Sequence, residues 1–190
     1  MAEARDRSGL AELYEAVGAA AASGRGPAPV HLWNPAVCGD IDIRIARDGT
    51  WHYQGSPIGR PALVRLFSTV LRRDADGFWL VTPVEKLRIR VDDAPFLAVG
   101  VERAGATLAF ATNVGDLVHA GPGHPIRVET GEGGAPRPYL RVRGGLDALI
   151  TRPVFYELVE MAEARPTPAG ARLMVDSAGV WFDLGGLEDA

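Results

Sequence analysis

The chain has 190 residues, 47% of them hydrophobic, with twenty basic and twenty-four acidic side chains and a formal net charge of -4. That length can bury about 70% of its unfolded surface, enough for one domain or two small ones, while the negative balance lacks the basic excess that drives binding to duplex DNA or RNA. The single cysteine, Cys38, excludes an internal disulfide and any multi-cysteine zinc or iron-sulfur site. No apolar tract approaches the ~20 residues that span a bilayer. Glu3, Asp6, Glu12 and Glu15 lie where a signal peptide needs an uncharged core, so a cytoplasmic protein without a membrane partner is expected.

In chain order, Leu10, Leu13, Tyr14 and Val17 have helical spacing with Ser8 as their cap, which predicts an amphipathic arm. Ser23-Gly24-Arg25-Gly26-Pro27 breaks it, so residues 1–28 read as arm and linker. Ile41, Ile43 and Ile45 alternate with Asp42 and Arg44, the pattern of a strand with one buried face. Asp48-Gly49 then predicts a hairpin turn, with Trp51 and Tyr53 on the return strand. A helix from about Pro61 to Arg72 and a strand over Trp79 to Val81 complete a first domain, 29–83.

Leu87, Ile89 and Val91 alternate with Lys86, Arg88 and Arg90. Short strands follow over Phe96 to Val101, Thr107 to Thr112, Leu117 to His119, Ile126 to Glu129 and Tyr139 to Val142, separated by Gly-rich and Pro-rich turns. Such spacing predicts antiparallel sheet or a partly closed barrel rather than βαβ units. A second helix is expected from about Leu146 to Ala164, then a hairpin from Arg172 to Val175 and Val180 to Phe182, all in a second domain, 84–190. Trp51, Trp79 and Trp181 each follow Gly-x, a sheet-packing pattern that predicts three core rings.

The stretch from Ile58 to Val70 is written twice. Ile58-Gly59-Arg60-Pro61 runs into Leu63, Leu66, Phe67 and Val70, and 92 positions on, Ile150-Thr151-Arg152-Pro153 runs into Phe155, Leu158, Val159 and Ala162. Both copies place their apolar residues on one helical face and a proline in the first turn. The fold class is therefore α+β: two small domains from a duplicated β/α motif, mainly antiparallel sheets each with one packed helix.

Each copy also places an arginine where the positive end of a helix dipole disfavours it. Arg60 and Arg152 thus imply an anionic partner, either a ligand held by guanidinium and free backbone N-H groups, or an internal carboxylate such as Asp40, Glu85 or Asp93. The charged strand faces, with Lys86, Arg88 and Arg90, Arg141 and Arg143, and Asp40, Asp42 and Arg44, are either a polar cleft with Trp33 or Tyr53 for stacking, or a solvated sheet surface. Cys38 beside Gly39 and Asp40 reads as a small buried filler rather than a redox thiol. His31, His52, His119 and His124 are too scattered for a metal site. Glu85 with Asp92 or Asp93 could serve acid-base chemistry, but no phosphate loop, nucleophile elbow or zinc-protease motif accompanies them.

Five motifs in order carry a resemblance: Trp33-Asn34-Pro35 with Cys38-Gly39-Asp40; Asp48-Gly49-Thr50-Trp51 with Gly55-Ser56-Pro57-Ile58-Gly59-Arg60; Thr82-Pro83-Val84-Glu85-Lys86; Asp93-Ala94-Pro95-Phe96; and Val142-Arg143-Gly144-Gly145-Leu146 running into Arg152-Pro153-Val154-Phe155-Tyr156-Glu157-Leu158. From Trp33 to Trp181 the chain resembles the bacterial domain-of-unknown-function family 1285. The resemblance implies a duplicated two-domain fold with a C-terminal part superficially like a pleckstrin-homology domain. It also implies a nucleotide-type ligand at the domain interface and a place in signal transduction, under oxidative stress. It carries no site residues across.

The expectation is a non-enzymatic protein without a cofactor that senses a small anionic, nucleotide-like ligand. Arg44, Arg60, Lys86, Arg143 and Arg152 would be its polar contacts and Trp33 or Tyr53 its stacking surface. The alternatives are a protein-interaction module without a small ligand, and an enzyme acting on a nucleotide or phosphate ester.

Overall fold

The computed structural model describes residues 6–21, 26–168 and 170–186. The chain divides into two compact units, Met1–Asp92 and Asp93–Ala190. The first opens with helix α1, Asp6–Ala21, whose Leu13, Val17 and Ala20 are buried and which packs against a second helix. Ser8 lies inside α1 rather than ahead of it, so it is not the cap. The Ser23-Gly24-Arg25 part of the expected linker lies outside the described residues.

The first unit continues as a meander, a helix and a second meander. Strands β1 (Val37–Ile45), β2 (Trp51–Tyr53) and β3 (Ser56–Pro57) precede α2 (Pro61–Thr69), and β4 (Leu71–Asp74), β5 (Gly77–Val81) and β6 (Glu85–Val91) follow it. They form one six-stranded sheet in the order β3-β2-β1-β6-β5-β4. The pairings are antiparallel except at the centre, where β1 runs parallel to β6 with Cys38 opposite Lys86 and Asp40 opposite Arg88. Parallel pairing here needs the long crossover that β2 to β5 supply. The domain boundary expected at Val84 is therefore wrong: β6 completes the first sheet, and the unit ends at Asp92.

Period two sorts this sheet as read. Ile43, Ile45, Trp51, Leu80 and Ile89 are buried, and Phe67 from α2 lies with its ring centroid 6.5 Å from that of Trp51. Helix α2 stops at Thr69, three residues before the expected Arg72, because Leu71 starts a strand opposite Leu80. The Asp48-Gly49 hairpin is present, but its loop spans Ala46 to Thr50, closed by Ala46 N-H to Thr50 O at 2.9 Å and by Thr50 N-H to the Asp48 carboxylate at 2.9 Å. The two-residue turn with both φ angles positive is instead Gln54-Gly55, at φ 49 and 76.

The second unit adds a meander before its copy of the repeat. Strands β7 (Phe96–Ala104), β8 (Thr107–Thr112) and β9 (Leu117–His119) come first. Then β10 (Ile126–Thr130), β11 (Pro136–Arg143), β12 (Leu146–Ile150), α3 (Arg152–Glu160), β13 (Glu163–Thr167), β14 (Gly170–Ser177) and β15 (Val180–Gly186) repeat the meander-helix-meander order. The turn between β11 and β12, Gly144-Gly145 at φ 48 and 78, corresponds to Gln54-Gly55 between β2 and β3. One sheet has the order β10-β11-β12-β7-β8-β9, with β12 parallel to β7, and β13-β14-β15 form a separate three-stranded sheet.

The expected helix from Leu146 to Ala164 is shorter on both sides. Leu146, Ala148 and Ile150 are buried with Asp147 and Leu149 between them, which is strand alternation, and Glu163 already pairs with Met174. Helix α3 buries Val154, Phe155 and Leu158 and packs against β7 and β14. Ser177, fully buried, links the layers: its hydroxyl donates to Ala120 O at 2.7 Å and accepts Leu108 N-H at 2.8 Å. Trp51 and Trp79 are core rings, 1% and 5% exposed, but Trp181 is 38% exposed with Arg165 stacked 4.0 Å from its centroid.

Candidate functional site

The strand faces that carry the charges are already neutralised from within. Parallel pairing of β1 with β6 sets Asp40 and Asp42 beside Arg88 and Arg90. Arg90 Nη2 reaches Asp42 at 2.6 Å, and Arg88 reaches Asp76 at 2.7 Å. Arg44 binds both oxygens of Asp92, at 2.9 and 3.1 Å through Nε. The hydrogen bond from Arg44 holds the Asp92 carboxyl below its usual range, and Asp92 in turn raises the guanidinium. For these arginines the face is a solvated, ion-paired surface.

Lys86 is similarly committed. Its Nζ lies 3.4 Å from Asp74 and 4.2 Å from the Trp79 centroid, with Arg88 at 4.6 Å from the same ring. Trp79 Nε1 donates to Asp76 at 3.1 Å, the largest reason that carboxyl is depressed. Arg72 was not singled out by the sequence, yet it ties three segments together. Its fork holds Asp74 at 2.7 and 2.9 Å while Nη1 donates to the carbonyls of Val30 and Trp33 at 3.0 and 2.7 Å. Arg72 also supplies the first cause of the lowered Asp74 pKa. Trp33 is thereby anchored through its backbone at a half-buried position.

In the second unit Arg143 pairs with Asp116 and lies 4.8 Å from the Phe96 ring centroid. Tyr139 is a second site that spacing did not reveal: 4% exposed, it donates to Asp93 at 2.8 Å, with the Arg127 guanidinium 4.6 Å from its ring centroid. Arg137 Nη2 lies 2.5 Å from Asp93. Burial, followed by the Asp93 hydrogen bond, pushes the Tyr139 hydroxyl up to about 12. The only sequence signal for this cluster was Asp93 at the head of the Asp93-Ala94-Pro95-Phe96 motif.

Arg60 and Arg152 differ from these. Both are exposed at the starts of α2 and α3, both helices carry proline in the first turn, and neither has a side-chain cap. No carboxylate among the described residues lies within ion-pair reach of either guanidinium, so Asp40, Glu85 and Asp93 are not their partners. Arg47 and Arg65 also have no ion pair among the described residues, but neither sits at a helix start. Tyr156, 58% exposed, stands one turn after Arg152 on the same side of α3.

Tyr53 lines a cavity of about 340 Å³ between α1 and the first sheet, where Glu12, Asp40, Asp42 and Glu85 supply carboxylates. Among the described residues lining it none is basic, so it does not gather the arginines named from sequence. A Cβ on Gly9 would stand 3.4 Å from the Tyr53 hydroxyl, which shows how closely α1 approaches. Cys38 is exposed on β1 and not a buried filler. His119 Nδ1 is 3.1 Å from Thr107 Oγ1 and His124 Nδ1 donates to the Arg141 carbonyl at 3.1 Å. No described helix is long and apolar enough to cross a membrane.

The chain matches two family models, the N-terminal domain of the domain of unknown function DUF1285 over residues 28–94 and the DUF1285 C-terminal domain over residues 95–184. No curated protein matches it significantly. A solved DUF1285 family protein from Silicibacter pomeroyi DSS-3 is 53% identical over 91% of this chain and 96% of its own, with a TM-score of 0.81. Another, from Shewanella baltica OS155, is 30% identical over 63% of this chain and 91% of its own, at a TM-score of 0.52. The two matched segments meet where β6 ends and the second unit begins, and with both halves accounted for in that order the chain belongs to the DUF1285 family.

Proposed function

We propose that this protein is a non-enzymatic, cytoplasmic sensor of a small anionic, nucleotide-like molecule, contacted at the Arg-Pro helix starts. The observation that carries the reading is that Arg60 and Arg152 lack an anionic partner among the described residues while Arg44, Lys86 and Arg143 each have one. A helix start offers unpaired N-H groups to phosphate or carboxylate, and an unpaired guanidinium adds a bidentate donor. Tyr156 takes the stacking role that Trp33 and Tyr53 were expected to fill, being exposed on the face that carries Arg152. A place in signal transduction under oxidative stress rests on the family resemblance alone.

Against an enzyme, the carboxyl groups whose pKa moves all move down: Asp48, Asp74, Asp76 and Asp92. A general acid near neutrality requires the opposite shift. The interaction-module reading draws on Leu32, Val84 and Leu117, which are 72%, 68% and 63% exposed.

The test is a thermal-shift screen of the whole chain against nucleotides and cyclic nucleotides, with Arg60→Ala and Arg152→Ala alongside. A ligand at 100 times its Kd stabilises by about 2.7 kcal/mol, and the variants should lose that gain while keeping the unliganded Tm. A large fall in unliganded Tm, with no nucleotide shifting the parent, assigns both arginines a structural role.

A further inference from the structure

The sheet of the first unit has an opening in its middle. Strand β1 covers nine residues, but β2 pairs only with Ile43, Arg44 and Ile45, and among the described residues the last backbone bond on that side is Gln54 N-H to Asp42 O at 3.0 Å. From Val37 to Asp40, β1 pairs with β6 on one side, Ile41 falls in the register shift that follows, and no described strand pairs with this stretch on the other side. The open stretch is about 16 Å long. Such a row of free N-H and C=O groups is a template for an added strand.

The surroundings of this edge select the chemistry of what could join it. Asp40, Ile41 and Asp42 also line the 340 Å³ cavity, whose other carboxylates are Glu12 and Glu85 and whose described lining holds no Lys or Arg. Asp42 is engaged by Arg90 at 2.6 Å, but Asp40 is 3.9 Å from Arg88 with its side chain 86% exposed, and the carboxylates of Glu12 and Glu85 have no ion-pair partner among the described residues. At the other end Val37 is 60% exposed, and Val84, beside its register partner Glu85, is 68% exposed. We propose that the Val37–Ile41 edge of β1 is a docking site for an extended, lysine- or arginine-bearing segment of a partner protein, which adds as a strand and places basic side chains toward Glu12, Asp40 and Glu85. This surface shares no residue with the Arg-Pro helix starts, and the two proposals fail independently.

Cys38 sits on this edge and is the chain's single cysteine, so its alkylation reports occupancy. The probe is a fluorescein-labelled heptapeptide, Lys-Val-Lys-Thr-Lys-Val-Lys, followed by anisotropy with the whole chain. Its controls are a glutamate-for-lysine counterpart and two versions N-methylated at alternate amides in opposite phases. The lysine peptide is expected to bind and to slow iodoacetamide alkylation of Cys38. The glutamate peptide, one of the two N-methylated peptides, and the parent peptide on Asp40→Lys should each bind at least about tenfold more weakly. Asp40 is exposed enough for that variant to fold, which circular dichroism would check. Equal binding of both N-methylated peptides would reduce the effect to charge attraction and overturn strand addition. Absence of binding overturns it outright. So does concentration-dependent protection of Cys38 without peptide, which would make a second copy the occupant.

Discussion

The two copies of the repeat share a meander, a helix and a second meander, yet close their sheets differently. In the first, β1 and β6 join by a parallel ladder into one six-stranded sheet. In the second, β15 packs beside β10 without a ladder, and the sheet instead extends through β12 to β7. The third strand makes the difference. Strand β3 is two residues long and ends on Pro57, which has no N-H to donate, so nothing builds on it. Its counterpart β12 has five residues with an alternating buried pattern, and its far edge takes up the extra meander. A duplicated unit thus acquires a different sheet wherever one edge is left long enough to pair.

The most damaging way to break that comparison is proline at the third strand. Ala148→Pro removes a donor between Leu140 and Phe96 at a buried position, and should cost about 3 kcal/mol or more. Ser56→Pro at the exposed edge strand should cost less than about 1 kcal/mol. Urea denaturation of both variants checks this. Equal losses would mean that β3 bears as much pairing as β12.

The halves should also part in their response to pH. The Tyr139 hydroxyl is pushed up to about 12 from the ordinary tyrosine value of 10.0, so its neutral form is favoured by folding. Its contribution is complete below pH 10 and falls away as pH rises toward 12, by about 2–3 kcal/mol. Tyr139→Phe should flatten stability across that window in alkaline denaturation, and tyrosinate absorbance should show one late-titrating ring. A smaller change is expected in acid for the first unit. The Asp74 pKa lies below 3.8, so its stabilising pair with Arg72 is complete above that value and is lost as pH falls further. Asp74→Asn should remove less than about 1 kcal/mol at neutral pH, since the pair is partly solvated.

Local pattern carried much of this fold. Alternation at Ile41 to Ile45 and Leu87 to Val91 gave strands where strands are, and the Arg-Pro helix starts identified the repeat. It misled at Leu146 to Ile150, whose apolar residues suit either period, and only the partner strands β11 and β7 settle which. Trp181 misled likewise, because a ring after Gly-x packs inward only if a second layer covers that face. At the candidate site, Arg60 and Arg152 were legible because an N-terminal arginine is a local anomaly. Arg72 and Tyr139 were not, because their partners at Val30, Trp33 and Asp93 come from distant segments.

By itself the sequence determined the α+β class, the doubling of the motif and the two cationic helix starts, all of which follow from spacings of a few residues. Only the tertiary structure decided that β6 belongs to the first unit, that Arg44, Lys86 and Arg143 are neutralised internally, and that half of β1 has a described strand on one side alone. The physical reason is that pairing and charge neutralisation between segments far apart in the chain depend on which edges meet, and period-two alternation is blind to that choice.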